Sequence, residues 1–336
     1  NIDGKERRIN IKFLQKFLNR LLEKLNIAIC KAKDKKTNFY TTYFTYQVTK
    51  FSQNKSIIKP LEFKMHKLPL FLEGFVGALR VENDKKIYEA LKNSALFDRK
   101  LRMYRLNASL KDESLEIGRS KIFPAGWLEN ESIWLHMEYK YLLELLKKGL
   151  YDKFYEDFFN CAVCFFNPQT YGRSILENSS FIVSSAHIDP NLWGRGFVAR
   201  LTGATVEFLN IWMILCLGSK PFLVDDKNRL FIQFSPILKE SLFSTKPNTI
   251  NFKGEVITLE ENTFAFSLFS DILVVYHNPK RKDTFAILDK ADYVKVKKIT
   301  IQLDKESYKI DSNIIEPPFS YKIREVKAKR IDLYFE

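Results

Sequence analysis

Thr202-Gly203-Ala204-Thr205-Val206-Glu207-Phe208-Leu209-Asn210-Ile211-Trp212-Met213-Ile214-Leu215-Cys216-Leu217, followed by Gly218, is an apolar run with a capping residue at its head and a stop signal at its tail. It reads as a helix, and the sequence changes character across it. Upstream, residues 9–32 repeat Phe13, Phe17, Leu18, Leu21, Leu22 and Leu25 at the three- and four-residue spacing of one helix face. Residues 68–79, 86–93, 130–148 and 151–166 give further helical stretches, with Pro69 near the head of the first and Gly149 closing the third. Residues 39–48 are aromatic and Thr-rich, a strand or an extended connector. Residues 98–128 read as irregular, and 167–200 as a long structured loop around a short helix at 177–185. Downstream, residues 229–234, 264–275, 294–303 and 330–335 alternate as strands do. The expectation is an α+β multidomain chain with a helical block over 1–218 and a β-rich block over 219–336. Helix pairs followed by strands suggest part of a helical barrel capped by a sandwich-like domain; periodicity alone does not separate that from an irregular helical domain.

The chain has 336 residues, of which 46% are apolar and 28% charged, a globular composition. Its 54 basic against 40 acidic residues give a net charge of +14, which raises nucleic acid as a partner. The lysines, however, are scattered and stand near acids. The dense basic runs, 31–36 and 295–298, are short and carry no zinc-finger or RNA-recognition motif. We therefore expect no nucleic-acid partner. With 29 Phe and 15 Tyr there is ample material for a core or for sugar-stacking platforms.

Four cysteines are too few for a disulfide framework at this length. Cys161-Ala-Val-Cys164 has the spacing of half a zinc site, but no second Cys or His pair lies nearby, so two buried small residues are favoured and no metal is expected. No secretory signal opens the chain, and the longest apolar run, 211–217, falls far short of the roughly 20 residues a bilayer needs. A cytoplasmic location without a membrane partner is the default. The sequence opens at Asn1 without a Met, which is compatible with an incomplete chain.

Three loop motifs carry the chemistry. Gly194-Arg195-Gly196 leads to Thr202-Gly203 at a helix start, where unpaired N–H groups and the helix dipole attract an anion and Gly203 lets it approach the backbone. Arg195 and Arg200 stand ready to complete such a pocket. Read alone, Thr202 is more simply a plain N-cap. Glu129-Asn130-Glu131-Ser132-Ile133-Trp134-Leu135-His136 offers Asn130 as a helix cap and His136 about two turns inside, a donor to an anion or a His satisfied by a core carbonyl. Tyr171-Gly172-Arg173-Ser174-Ile175-Leu176-Glu177-Asn178-Ser179-Ser180 gathers a carboxylate, an amide and hydroxyls, suited to sugar hydroxyls and equally to a capped helix start. The other His residues, His66, His187 and His277, show no ligand spacing.

Taken together, residues 120–218 resemble the C-terminal half of inverting glycoside phosphorylases of the cellobiose and chitobiose phosphorylase type. The resemblance rests on a Glu-Asn pair with a His six residues after the Asn, on a Tyr segment containing a Glu, and on Gly-Arg-Gly leading to Thr-Gly before a helix. It implies that the helical block is part of an (α/α)6 catalytic barrel and that His136, Thr202 and Gly203 bind the attacking phosphate. Glu129, Asn130, Glu177 and Arg195 are the sugar-binding candidates. Inorganic phosphate is then a co-substrate and no cofactor is needed.

The family's general acid stands in an Asp-Trp-Asn-Asp type motif. Here none of Trp127, Trp134, Trp193 and Trp212 follows an Asp, so the acid is expected outside these residues, in a missing N-terminal part of the same polypeptide. Leu128 replaces the basic residue of disaccharide-specific relatives, which directs the substrate toward β-linked glucan oligosaccharides. The expected reaction is inverting phosphorolysis to sugar 1-phosphate. An inverting hydrolase, with Glu177 or Glu207 as base, and a non-catalytic carbohydrate-binding protein are the alternatives, and a homodimer is admitted.

Overall fold

The computed structural model describes residues 4, 8–35, 37, 39–82, 86–198, 202–286, 292–304 and 306–336. Along the chain run α1 (Ile11–Ala32), β1 (Phe44–Asn54), β2 (Ile57–Lys67), α2 (Leu72–Val81), α3 (Lys86–Lys92), β3 (Phe97–Asp98), β4 (Met103–Tyr104), α4 (Arg119–Ile122) and β5 (Ile133–Trp134). There follow α5 (Leu135–Lys147), α6 (Tyr151–Cys161), α7 (Pro168–Tyr171), β6 (Phe181–Ile182), β7 (Gly196–Phe197) and α8 (Thr202–Leu217). Strands dominate the rest: β8 (Phe222–Val224), β9 (Leu230–Gln233), β10 (Asn248–Phe252), β11 (Glu255–Leu259), β12 (Thr263–Leu268) and β13 (Ile272–His277). The last are β14 (Val296–Gln302), β15 (Ser307–Ile310), β16 (Ile314–Ile315), α9 (Phe319–Arg324) and β17 (Arg330–Phe335). Helix and sheet are both substantial, so the chain is α+β. It divides into two compact units, one of Asn1–Tyr141 with Val163–Leu201, the other of Leu142–Ala162 with Thr202–Glu336.

In the first unit, α1 starts where Asn10 accepts the N–H of Lys12, a conventional cap. Residues 44–67 hold a hairpin the sequence pattern did not separate: β1 and β2 pair from Phe44↔Lys67 to Asn54↔Ile57, with a register shift at Lys50. The core of this unit is aromatic. Tyr104 packs edge-on against Tyr141 at 4.7 Å, and Phe75, Tyr88, Leu91 and Leu96 are buried around the short helices. The long helix expected over 130–148 begins only at Leu135, because the residues before it are held in a left-handed turn described below. Gly149 ends it with φ 72°. The helix expected at 177–185 is instead extended chain containing β6, as its β-branched and aromatic Phe181-Ile182-Val183 favours. Residue 36 of the first basic run lies outside the described residues.

In the second unit a five-stranded sheet has the order β12-β13-β17-β14-β15. Central β13 pairs antiparallel with β12 and parallel with β17, and the alternation expected of a half-exposed strand gives way to a run, Ile272 to Tyr276, buried at every position. The β10–β11 hairpin packs Ile250, Phe252 and Ile257 on Leu273 and Val275 of that sheet. Helix α8 meets the same unit through Trp212, stacked near Phe264 and edge-on to Phe158, and through its Cys216 carbonyl, which accepts the Tyr276 hydroxyl at 2.6 Å. Buried Asp332 on β17 accepts from His277 at 2.8 Å and is paired with Arg330. Burial alone would raise its carboxyl, but His277 and Arg330 together hold it below the usual carboxylate range.

All four cysteines are free. Cys161 and Cys216 are buried, and burial pushes the Cys216 thiol up to about 12 and the Cys164 thiol up to about 11. Only Cys30 is exposed, on α1. A thiol-disulfide reagent at mildly alkaline pH is therefore expected to titrate one thiol fast and the other three only on unfolding. Among the described residues no helix is long and apolar enough to cross a membrane, and no group of three or more His, Cys, Asp or Glu side chains is placed to hold a metal.

Candidate functional site

Segments within or directly beside the three motifs form one small sheet of the first unit, whereas Thr202 and Gly203 belong to the second unit. Ile133↔Ile182 and Trp134↔Phe181 join β5 to β6, and Phe181↔Phe197 and Ile182↔Gly196 join β6 to β7. The Glu129-to-His136 motif supplies β5 and the Gly194-Arg195-Gly196 segment opens β7, while β6 follows directly after the Tyr171-to-Ser180 motif, and hydrogen bonds beyond the strands fix their order. Leu135 N–H donates to Ser180 O, Ser180 N–H to Val198 O, Val183 N–H to Arg195 O and Gly194 N–H to Val183 O. An aromatic cluster covers the sheet: Trp127 lies edge-on to Phe181 at 5.2 Å and against Phe197 at 4.7 Å, while Trp134 stacks over Phe181 at 6.3 Å. Such pairs add about 0.5–1.5 kcal/mol each beyond area burial. That is ample to order strands too short to persist alone.

The close fit demands glycine at position 196. A Cβ there would collide with the Tyr171 ring and stand 2.8 Å from Ser179 Oγ. Tyr171 is itself fixed, its hydroxyl donating to Glu177 O and accepting from Ser179 N–H, each at 2.8 Å. Gly196→Ala is expected to destabilise the chain by about 1–3 kcal/mol through overpacking, read as a lowered melting temperature.

Before β5 the backbone is forced into an uncommon shape. Gly126, Leu128 and Glu131 all have positive φ, of 80°, 47° and 56°. For Leu and Glu this region costs about 1–2 kcal/mol apiece. The cost is met by hydrogen bonds. Gly126 N–H donates to Asn130 O, Trp134 Nε1 and the Ser132 hydroxyl both donate to Leu128 O, Asn107 Oδ1 accepts Glu131 N–H at 3.0 Å, and Ser184 Oγ donates to Glu131 O at 2.5 Å. The loop so pinned presents Glu129 and Asn130. Asn130 therefore caps no helix; its amide donates to Phe123 O at 2.7 Å.

These two residues also hold unmet acceptors. Glu129 Oε1 receives Arg119 at 2.6 Å, while Glu129 Oε2 and Asn130 Oδ1 are buried without a partner among the described residues. Each such atom costs about 1–3 kcal/mol unless something donates to it. Two adjacent acceptors in want of donors suit the hydroxyls of a sugar.

Beneath the loop lies a charged network that the sequence did not reveal. Fully buried Asp98 accepts from Ser185 N–H at 2.7 Å, Ser185 Oγ at 2.8 Å, the N–H groups of Lys100 and Leu101, and Arg105 Nε and Nη2. Arg105 then reaches Glu131 Oε1 at 3.4 Å through Nη1. Burial pushes the Asp98 carboxyl up, but the Ser185 donors, the Leu101 amide and Arg105 outweigh it and hold the group below the ordinary carboxylate range. Asp98 and Ser185 stand 87 positions apart. No local spacing could have joined them.

The remaining expected site residues fall as follows. His136 is the second residue of α5, half-buried, immediately after β5. It is therefore close to the helix start instead of two turns inside. Glu177 is exposed and ion-paired with Arg173 at 3.1 Å. Arg195 is exposed at β7, its Cγ and Cδ lying 4.0 Å from where a Cβ on Gly172 would stand. Thr202 and Gly203 open α8 in the second unit, Thr202 being the first helical residue and not the cap before it. Arg200 and the side chain of Thr202 lie outside the described residues. Glu129, Asn130, Glu177 and Arg195 thus flank adjoining strands of one sheet, and His136 follows the first of them.

No protein-family model matches the chain, and no curated protein matches it.

Proposed function

We propose that the chain supplies the phosphate-side and sugar-binding wall of an inverting glycoside phosphorylase acting on β-linked glucan oligosaccharides. The observation that carries this reading is the pinned loop just before β5, whose two acceptors, Glu129 Oε2 and Asn130 Oδ1, have no partner among the described residues. Inverting phosphorolysis needs a general acid on the leaving oxygen and a phosphate on the opposite face of the anomeric carbon. Phosphate already carries charge, so no base is required. What the protein must provide is positioning and a donor-rich pocket. In this reading the candidates for phosphate are His136 in the first unit and Thr202 and Gly203 at the head of α8 in the second, and Glu129, Asn130, Glu177 and Arg195 bind sugar hydroxyls. Inorganic phosphate is the co-substrate and no cofactor enters.

The barrel architecture is part of the proposal. Its support is α8, whose Val206, Leu209 and Met213 form a second, exposed apolar stripe suited to neighbouring helices. The general acid is taken to come from outside these residues. The free thiols and the need for orthophosphate favour the cytoplasm.

The test is product formation from β-gluco-oligosaccharides with and without orthophosphate. This chain alone is expected to give no sugar 1-phosphate. The polypeptide that also carries the acid is expected to give α-sugar 1-phosphate in strict dependence on orthophosphate. Free sugar released at the same rate without phosphate would make the enzyme a hydrolase, and binding without turnover would make it a carbohydrate-binding protein; either refutes the proposal.

A further inference from the structure

A cavity of about 350 Å³ opens on the second unit, between the end of β9 and the residues leading into β14. It shares no residue with the three sequence motifs. Its back is rigid. Buried Thr284 donates to Pro236 O at 2.7 Å and accepts Leu238 N–H at 2.8 Å. Phe234 N–H donates to Asn313 O, and Lys295 exchanges both backbone hydrogen bonds with Glu336. Phe285 is held edge-on to Tyr151 at 5.3 Å and stacked on Tyr155 at 5.4 Å, and the Tyr155 hydroxyl donates to Ile237 O at 2.5 Å. The groups that build the back are spent on one another, so the cavity is preformed.

The polar side chains at its mouth are not so spent. Gln233, Ser235, Tyr293 and Asn313 line it, and their amides and hydroxyls have no hydrogen-bond partner among the described residues. Ser235 is exposed and the other three are half-buried. Among the described lining residues only Lys295 is charged, its Nζ standing 5.1 Å from the centre of the Tyr293 ring.

This set of groups selects the class of ligand. One ammonium with no carboxylate suits neither a polyanion nor a cation. A wholly apolar ligand would strip water from two amides and two hydroxyls and give nothing back. Amides both donate and accept, as sugar hydroxyls do, and Tyr151, Phe285 and Tyr293 offer ring surface to the C–H face of a sugar. The volume lies at the small end of the roughly 300–1,000 Å³ of ligand sites, which fits the end of a glycan better than its length. We propose that this cavity is a second sugar-binding site, additional to the loop at Glu129 and Asn130, and that it takes a terminal pyranose ring of a neutral oligosaccharide. It is a site of recognition and does not depend on the reaction assigned above.

A proton–nitrogen correlation spectrum of the full chain, titrated with a neutral β-gluco-trisaccharide, tests the proposal. Saturable shifts are expected in the Gln233 and Asn313 side-chain amides and in the Lys295 backbone N–H. Read at Lys295, Gln233→Ala with Asn313→Ala is expected to raise the dissociation constant at least about tenfold, the worth of two hydrogen bonds. Neither amide bonds to the rest of the described chain, so the melting temperature should stay as in the wild type. Glu129→Gln, in the loop of the first unit, should leave the shift at Lys295 and its dissociation constant unchanged, which separates failure of that site from failure of this one. No saturable shift at Lys295, an affinity indifferent to the double substitution, loss of the shift in Glu129→Gln, or saturation by adenosine in place of the trisaccharide would each overturn it.

Discussion

Asp98→Ala is expected to destabilise the first unit by about 3–5 kcal/mol, the range for removing one partner of a buried ion pair. The carboxylate is inaccessible to solvent and accepts six hydrogen bonds, two of them from Ser185 and two from Arg105. Its loss strands buried N–H groups and leaves Arg105 with Glu131 and the Ser185 hydroxyl. Total stabilities of domains run to about 5–15 kcal/mol, so the substitution takes a large share. Urea unfolding followed with amide exchange in residues 98–105 and 184–185 measures it. Asp98→Asn separates charge from shape. Because the folded carboxyl lies below its unfolded value of about 3.9, its ionised form contributes stability that is present above about pH 4 and is lost as pH falls through the lower, folded value. The wild type should therefore show a steeper acid limb than the Asn variant. Identical limbs would show that Asp98 is not the anchor described.

On the proposed function, His136→Ala in a polypeptide that also carries the acid is expected to lower phosphate affinity by about 1.5–3 kcal/mol, the worth of a hydrogen bond to a charged group, or roughly 10- to 100-fold in KM for phosphate. Thr202→Val removes a hydroxyl while keeping the branched shape, and the expected loss is smaller, about 0.5–1.5 kcal/mol. Both effects should fall on phosphate and leave KM for the oligosaccharide nearly unchanged. Equal losses on both substrates would point to a general disturbance of the β5–α5 junction.

The sequence was informative wherever one element carried its own signal. Helix α1 and helix α8 end within two residues of their expected bounds because their apolar spacing and flanking Asn10 and Gly218 are local features. The strands β9, β14 and β17 were visible as alternation, although alternation does not describe β13, whose Ile272 to Tyr276 are buried in succession inside the sheet. The failures share a cause. Asn130 looked like a cap because Asn before an apolar run usually is one; here left-handed Leu128 and Glu131, held by Asn107 and Ser184 from distant segments, delay the helix to Leu135. Residues 177–185 looked helical until β5 and β7 were available to pair with Phe181-Ile182. Of the β1–β2 hairpin only the start of β1 was offered as a strand, within residues 39–48, because its residues are exposed on both faces and leave no clean alternation. In the candidate site, Glu129, Asn130, His136 and Arg195 could be chosen by residue type and spacing. Asp98, Arg105, Ser184 and Ser185 act only through tertiary contact, and nothing in their neighbourhoods distinguishes them.

Titration of this chain with orthophosphate, followed by phosphorus NMR line width, tests the central claim most directly. The account predicts saturable binding that weakens at least tenfold in His136→Ala and survives in Asp304→Asn, a change at the exposed turn between β14 and β15, remote in sequence from every motif residue named for phosphate. No saturable binding, or binding equally strong with alanine at position 136, would contradict it.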